Sequence, residues 1–308
     1  MNIGENMHNK DNIDEVLKEG FEYLDNGELE KALECYLKCE KKESENISII
    51  NNIAQIYAML GEFKLSRKYH QKLIELCEGI ESEEILMLKG NSLMSINNFS
   101  QAYYTYDKIL TMNPKHIPSL FQIAAILNEK EEYEKSNHYL NRILDIDEDN
   151  IIATLNKGIN FIEMENYVEA LKQYDRVLEM SPTHELAIKL KGELLKETGD
   201  HKALKNHIKQ TLKVKPNSAY TLMLKAMEYA NDNKENKAIE FYDRAIAIDP
   251  YFDEAYFNKA SFLMLKKRYD EAIDCYKQAF EINPESGGIN DKESLFELLN
   301  QMKEAINN

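Results

Sequence analysis

The chain has 308 residues, with 38 basic and 54 acidic side chains and a formal net charge of −16. Hydrophobic residues make up 43%, enough for a sizeable core, which argues against wholesale disorder. Eleven glycines and six prolines are few for a turn-rich all-β protein or a Gly-rich nucleotide fold, and the acidic balance argues against generic binding to nucleic acid or anionic membrane.

The chain opens MNIGENMHNKDN, with no apolar stretch of the kind a secretory leader carries. Its longest apolar runs fall far short of the roughly 20 residues that span a bilayer. A soluble cytoplasmic protein is expected, with residues 1–12 as a flexible N-terminus. Cys35 and Cys39 lie one helical turn apart, but no His or Cys pair follows at zinc spacing. They read as small buried hydrophobes, and no metal is expected.

A period follows. Pro114, Pro182, Pro216, Pro250 and Pro284 are spaced by 68, 34, 34 and 34 residues. Ala102, Ala170, Ala238 and Ala272 repeat the spacing, as do Gly90, Gly158 and Gly192. Gly20 to Gly90 and Ala32 to Ala102 are both 70, so one two-residue insertion separates the first two units from the rest. Within a unit, apolar residues recur at three- and four-residue spacing in two blocks, each predicting a helix. In the last unit Tyr256, Ala260, Leu263 and Met264 mark the first helix. Ala272, Ile273, Tyr276 and Ala279 mark the second, and Asn283-Pro284 stops it.

In chain order, unit 13–46 carries Gly20, Ala32, Tyr36 and Cys39 at the registered places. Unit 47–80 departs from the pattern, with Ser66 and His70 where Ala and an aromatic recur elsewhere. Unit 83–116 has Gly90, Phe99, Ala102, Tyr106, Ile109 and Pro114; unit 117–150 has Ser136 and Leu140. Unit 151–184 has Gly158, Tyr167, Ala170, Tyr174, Val177 and Pro182. Unit 185–218 keeps Gly192 and Pro216, but Ala203 comes one residue early and Ile208 replaces the aromatic. Units 219–252 and 253–286 carry Ala226, Ala238, Tyr242, Ala245, Pro250 and Ala260, Tyr269, Ala272, Tyr276, Ala279, Pro284. Beyond them Asn290 and Glu293 have capping-box spacing, ahead of an apolar face of Leu295, Leu298, Leu299 and Met302.

This pattern resembles the tetratricopeptide repeat (TPR). The resemblance implies an all-α, right-handed superhelical solenoid of eight helix-turn-helix repeats, closed by a capping helix over 290–306. The small residues let two antiparallel helices approach, and the aromatics fill the space beside them. The two departing units, 47–80 and 185–218, are expected to be the weakest. No GxSxG, HExxH, Walker or GxGxxG motif is present, so neither catalysis nor a cofactor is expected.

The resemblance also implies a concave groove lined by the first helix of each unit. It places Phe21, Met87, Asn91, Met94, Phe121, Leu155 and Ile159 there. From the last two units it adds Tyr220, Met223, Met227, Phe257 and Met264. Acidic residues outnumber basic ones at the groove-facing positions of those helices: Asp14, Asp25, Glu84, Glu129, Glu163, Glu193, Glu197 and Glu254 against Lys189 and Lys196. The expected partner is another protein presenting an apolar and basic segment, with no nucleic acid and no membrane. The carboxylate clamp of chaperone-binding members is not expected, because Lys189 would have Glu193, Leu224, Glu254 and Asn258 as companions. Unit 185–218 has eight lysines against four acids, and Lys202, Lys205 and Lys209 share one helix face as a candidate basic patch. The function expected is a non-catalytic scaffold or adaptor. The alternatives are a self-assembling structural component or a regulatory subunit of an enzyme complex, and the oligomeric state stays open.

Overall fold

A computed structural model describes residues 4–289 and 291–307. Among these, sixteen α-helices follow one another in eight pairs, and a seventeenth comes last, with no strand. The first four pairs are α1 (Gly4–Asp25) with α2 (Leu29–Glu40), α3 (Ile47–Met59) with α4 (Phe63–Leu76), α5 (Glu83–Ser95) with α6 (Phe99–Met112), and α7 (Ile117–Glu129) with α8 (Tyr133–Ile146). The next four are α9 (Ile151–Glu163) with α10 (Tyr167–Met180), α11 (Glu185–Glu197) with α12 (His201–Val214), α13 (Ala219–Asn231) with α14 (Glu235–Ile248), and α15 (Asp253–Leu265) with α16 (Tyr269–Ile282). A 3-10 turn (Ser286–Gly288) and α17 (Lys292–Asn307) end the chain. Helix α1 starts at Gly4, so it runs through residues 4–12, which the residue pattern leaves outside the first unit as a flexible stretch. The chain divides into two compact units, Met1–Ala153 and Thr154–Asn308.

Helix starts follow local chemistry. The side chains of Asn46, Ser82, Asn98, Asn166, Asp200 and Ser218 accept backbone N–H bonds at the helices they precede. His116 and His184 do the same through a ring nitrogen, which explains why they recur 68 residues apart. At α17 the residue that caps is Asp291, whose Oδ1 accepts the Ser294 N–H at 3.0 Å. Asn290, to which the sequence assigns that role, lies outside the described residues.

The turn inside each repeat rests on one backbone position. The fifteenth residue has a positive φ in all eight: Gly27, Gly61, Asn97, Glu131, Glu165, Gly199, Asn233 and Lys267. This left-handed residue lets the next N–H reach back to a carbonyl five residues earlier, as at the end of a Schellman motif. Asn98 N–H bonds to Leu93 O at 2.8 Å, and Arg268 N–H to Leu263 O at 3.0 Å. The sixth repeat differs. Asp200 N–H makes no such bond to Leu195 O; instead His201 N–H turns to Gly199 O, and the Thr198 hydroxyl serves Leu194 O.

In the first unit Ala102, Tyr106 and Ile109 of α6 are buried with Leu93 of α5 and with Leu120, Ile123 and Ile126 of α7. A second cluster joins Ala32, Tyr36 and Cys39 of α2 to Ile49, Ile53 and Ile56 of α3. In the second unit Tyr242 and Ala245 of α14 are buried with Leu222, Met223 and Ala226 of α13. Tyr276 and Phe280 of α16 share a core with Ala260 of α15 and with Leu299 of α17, so α17 buries its inner face on the last pair. The two departing repeats fare differently. In the second, Ser66 Oγ donates to Ala54 O at 2.9 Å and His70 Nδ1 lies 3.1 Å from Ser92 Oγ, so both buried polar groups are satisfied and α3 packs closely on α4. In the sixth, α11 and α12 pack more loosely.

The close approach of paired helices depends on the small eighth residue. A Cβ on Gly90 would sit 2.4 Å from the Tyr106 ring, and one on Gly158 would sit 2.5 Å from the Tyr174 ring. Gly90→Ala is therefore expected to destabilise the α5–α6 pair by about 1–3 kcal/mol, although Ala in an unhindered helix would gain about 1 kcal/mol over Gly. Lys267→Gly, which relieves the left-handed backbone, should stabilise α15–α16 by about 1 kcal/mol. Hydrogen exchange of the amides in each pair reads both changes.

Candidate protein-binding surface

The candidate groove residues separate into two sets, one in each compact unit. In the first unit Met87, Met94 and Phe121 are half-buried and pack on one core cluster, so α5 and α7 bring them together. Met87 Sδ accepts the Ser119 hydroxyl at 3.4 Å. Asn91 is exposed, and its Oδ1 accepts the Tyr106 hydroxyl at 2.8 Å, so the ring that wedges the repeat also orients a surface amide. Phe21 stands apart at 63% exposed.

In the second unit the expected set is partly lost to the core. Met223 is fully buried, and Leu155 is 6% exposed, so neither lines a surface. Met223 sits among Leu222, Leu224 and Ala226 as a gap-filler, with the Asn258 amide 3.6 Å from its sulfur. Phe257 is covered by its own chain: a Cβ on Gly287 would fall 2.0 Å from its ring, and its other neighbours include Tyr276 and Phe280. Met223 and Leu155 are corrections, and Phe257 is half-buried. First-helix spacing alone does not separate a groove-facing residue from one beneath the next helix. Tyr220, Met227 and Met264 are half-buried, and Ile159 is 37% exposed.

The electrostatics of the first helices are uneven. Lys189 and Lys196 are answered by Glu193 at 3.7 Å and Glu254 at 3.6 Å. Asp14, Asp25, Glu84, Glu129, Glu163 and Glu197 are exposed and form no ion pair among the described residues. In the basic patch all three lysines are exposed, and Lys205 reaches Glu228 of α13 at 3.1 Å. Glu228, held also by Lys225, has its carboxyl below the usual range: the two lysines outweigh the opposing effect of burial, which is the largest single influence.

Residues 253–286, 219–252 and 47–81 each match a family profile described as tetratricopeptide repeat. The chain carries tetratricopeptide repeats. Similar to it is the TPR repeat-containing protein MJ1428 of Methanocaldococcus jannaschii, 23% identical over 311 residues, which cover 84% of this chain and 54% of that protein. Hsp70-Hsp90 organizing protein 3 of Arabidopsis thaliana is 22% identical over 267 residues, 83% of this chain and 40% of that one. The chain thus spans about half or less of the length of these curated relatives. The crystal structure of a tetratricopeptide repeat protein from Parabacteroides merdae superposes with a TM-score of 0.55 at 15% identity, covering 87% of this TPR chain and 98% of that one, a likeness of fold. TPR proteins mediate protein–protein interaction. No helix among the described residues is long and apolar enough to cross a membrane.

Two histidines the repeat pattern does not use are buried in the departing repeats. Burial lowers the pKa of His70, and it does the same at His207, whose Nε2 lies 3.0 Å from Ile188 O. Both fold as neutral rings, whereas the unfolded chain takes up a proton near the ordinary value of 6.5. The stability they lend is therefore complete above that pH and is lost as pH falls from it toward the depressed folded value. Thermal unfolding followed from pH 7.5 to about 5 should show this loss, and His207→Asn should make the dependence shallower.

Proposed function

We propose that this TPR chain is a non-catalytic cytoplasmic scaffold or adaptor that holds an apolar, basic segment of another protein against its first helices. The eight units of 13–286 form the binding array, and 290–306 closes it. The observation that carries this reading is the combination on the first helices of exposed apolar side chains with unanswered carboxylates. Phe21 and Ile159 present apolar surface, and Met87, Met94 and Phe121 offer a half-buried, adaptable strip. Six exposed carboxylates without ion-pair partners among the described residues favour a basic partner and disfavour nucleic acid. A peptide or helix with apolar anchors and flanking Lys or Arg matches both features.

The test is affinity capture on the full immobilised chain from native extract at low and high salt, with mass spectrometry of what is retained. A partner whose retention weakens with salt and falls about tenfold with Phe21→Ser or Ile159→Ser is expected, since few interface residues carry most of the binding. Both sites are exposed, so the fold tolerates the change. A retained partner that is indifferent to both substitutions and to salt overturns the reading.

A further inference from the structure

The sixth repeat contains an opening that the groove does not account for. In the third and fifth repeats the slot beside the small eighth residue is filled by a tyrosine of the repeat's own second helix. In the sixth, the two places where the second helix would supply aromatics hold His201 and Ile208. The slot at Gly192 is taken instead by Tyr220 of the next repeat, whose ring lies 2.9 Å from where a Cβ would stand. The Tyr220 hydroxyl is buried without a hydrogen-bond partner, whereas Tyr106 in its own repeat bonds to Asn91. With its own rings absent and its turn missing the Asp200–Leu195 bond, the repeat leaves a cleft of about 420 Å³ between α11, α12 and α13. That volume lies within the roughly 300–1,000 Å³ typical of ligand sites.

The floor is apolar: Leu204, Ile208, Leu224 and Met227. The acids on the rim are already answered, Glu228 by Lys205 at 3.1 Å and Lys225 at 2.8 Å, and Asp232 by Lys234 at 2.7 Å. The spare charge is positive. Lys202 and Lys209 share the exposed face of α12 with Lys205 and have no ion-pair partner among the described residues. His201 stands exposed at the helix start, where the backbone dipole adds positive potential. The repeat carries eight lysines against four acids in a chain of net charge −16.

We propose that this cleft receives a large apolar side chain carried on an acidic segment of a partner polypeptide. Its floor joins Leu204 and Ile208 of α12, which would be core in a regular repeat, to Leu224 and Met227 of α13, so it adjoins the groove set at Met227, and the unpaired charges beside it are the lysines of α12. It therefore takes a ligand of the opposite charge and goes beyond the function proposed above.

The experiment uses the full chain and labelled helical peptides of about twelve residues, with leucines four apart among glutamates. Fluorescence anisotropy compares this peptide with one in which serine replaces leucine, one in which lysine replaces glutamate, and a poly-uridine RNA of similar length. Saturable binding of the leucine–glutamate peptide alone is expected, weakening with salt. Ile208→Tyr, which returns a ring to the cleft, should weaken it at least about tenfold. Lys202→Glu with Lys209→Glu, confined to exposed positions, should do the same, and Phe21→Ser should leave it unchanged. Circular dichroism checks that helicity is kept; if Ile208→Tyr loses it, the lysine pair decides. The proposal fails if no binding is seen up to about 1 mM, if the lysine peptide or the RNA binds as well, or if the folded variants bind as the parent does.

Discussion

Two helices of a repeat approach only as closely as the atoms between them allow. At Gly90 and Gly158 there is no side chain between them, and the rings of Tyr106 and Tyr174 lie where a Cβ would be. That contact sets the distance between paired helices, and with it the burial of the Ala102–Tyr106–Ile109 and Ala170–Tyr174–Val177 faces. Burying one such ring contributes about 1.5–3 kcal/mol, and five of the eight repeats bury one, as Tyr36, Tyr106, Tyr174, Tyr242 and Tyr276, in an array whose stability accrues by nearest-neighbour packing. The same ring carries a hydroxyl to the surface side, where Tyr106 bonds to Asn91 and Tyr276 to Ser261. Core geometry and surface geometry are joined through one residue.

The turn is the second constraint. A left-handed residue at the fifteenth place, present in every repeat, reverses the chain in the space the ring contact leaves. Glycine occupies it at 27, 61 and 199, while Glu131, Glu165 and Lys267 hold it in a conformation that disfavours a side chain. They persist there because the packed helix pair on either side leaves the backbone no alternative. Gly199 has the permissive residue yet lacks the closing hydrogen bond. A permissive turn residue alone therefore does not secure the closing bond.

The two irregular repeats show how the same departure leads to two results. In the second, the lost alanine and aromatic are replaced by Ser66 and His70, small enough to pack and able to hydrogen-bond to Ala54 O and Ser92 Oγ. In the sixth, His201 at one ring place is exposed, and Ile208 at the other is too small to fill the place of a ring and has no polar atom to tie the helices together. Tyr220 enters from the next repeat, the turn loosens, and a cleft opens beside the unpaired lysines Lys202 and Lys209 of α12. The net charge of −16 thus divides into acidic first helices and one basic, open repeat.

The 34-residue period, the helix pairing and the two departing units are all written in the spacing of Gly, Ala, Tyr and Pro, because each is a local packing or chain-reversal requirement that recurs at a fixed interval. Partner-surface chemistry was legible only in outline. Spacing places Met223, Leu155 and Phe257 on the first helices beside Met87 and Met94, but whether such a side chain meets solvent depends on what the next helix or the returning chain lays over it. Gly287 covers Phe257, and the core of α13 and α14 takes Met223. The left-handed turn position was hidden because five of its eight residues are not glycine, so no composition signal marks it. The cleft at α11–α13 likewise belongs to the tertiary structure alone, since it arises from a ring supplied by a neighbouring repeat into a slot its own repeat leaves empty.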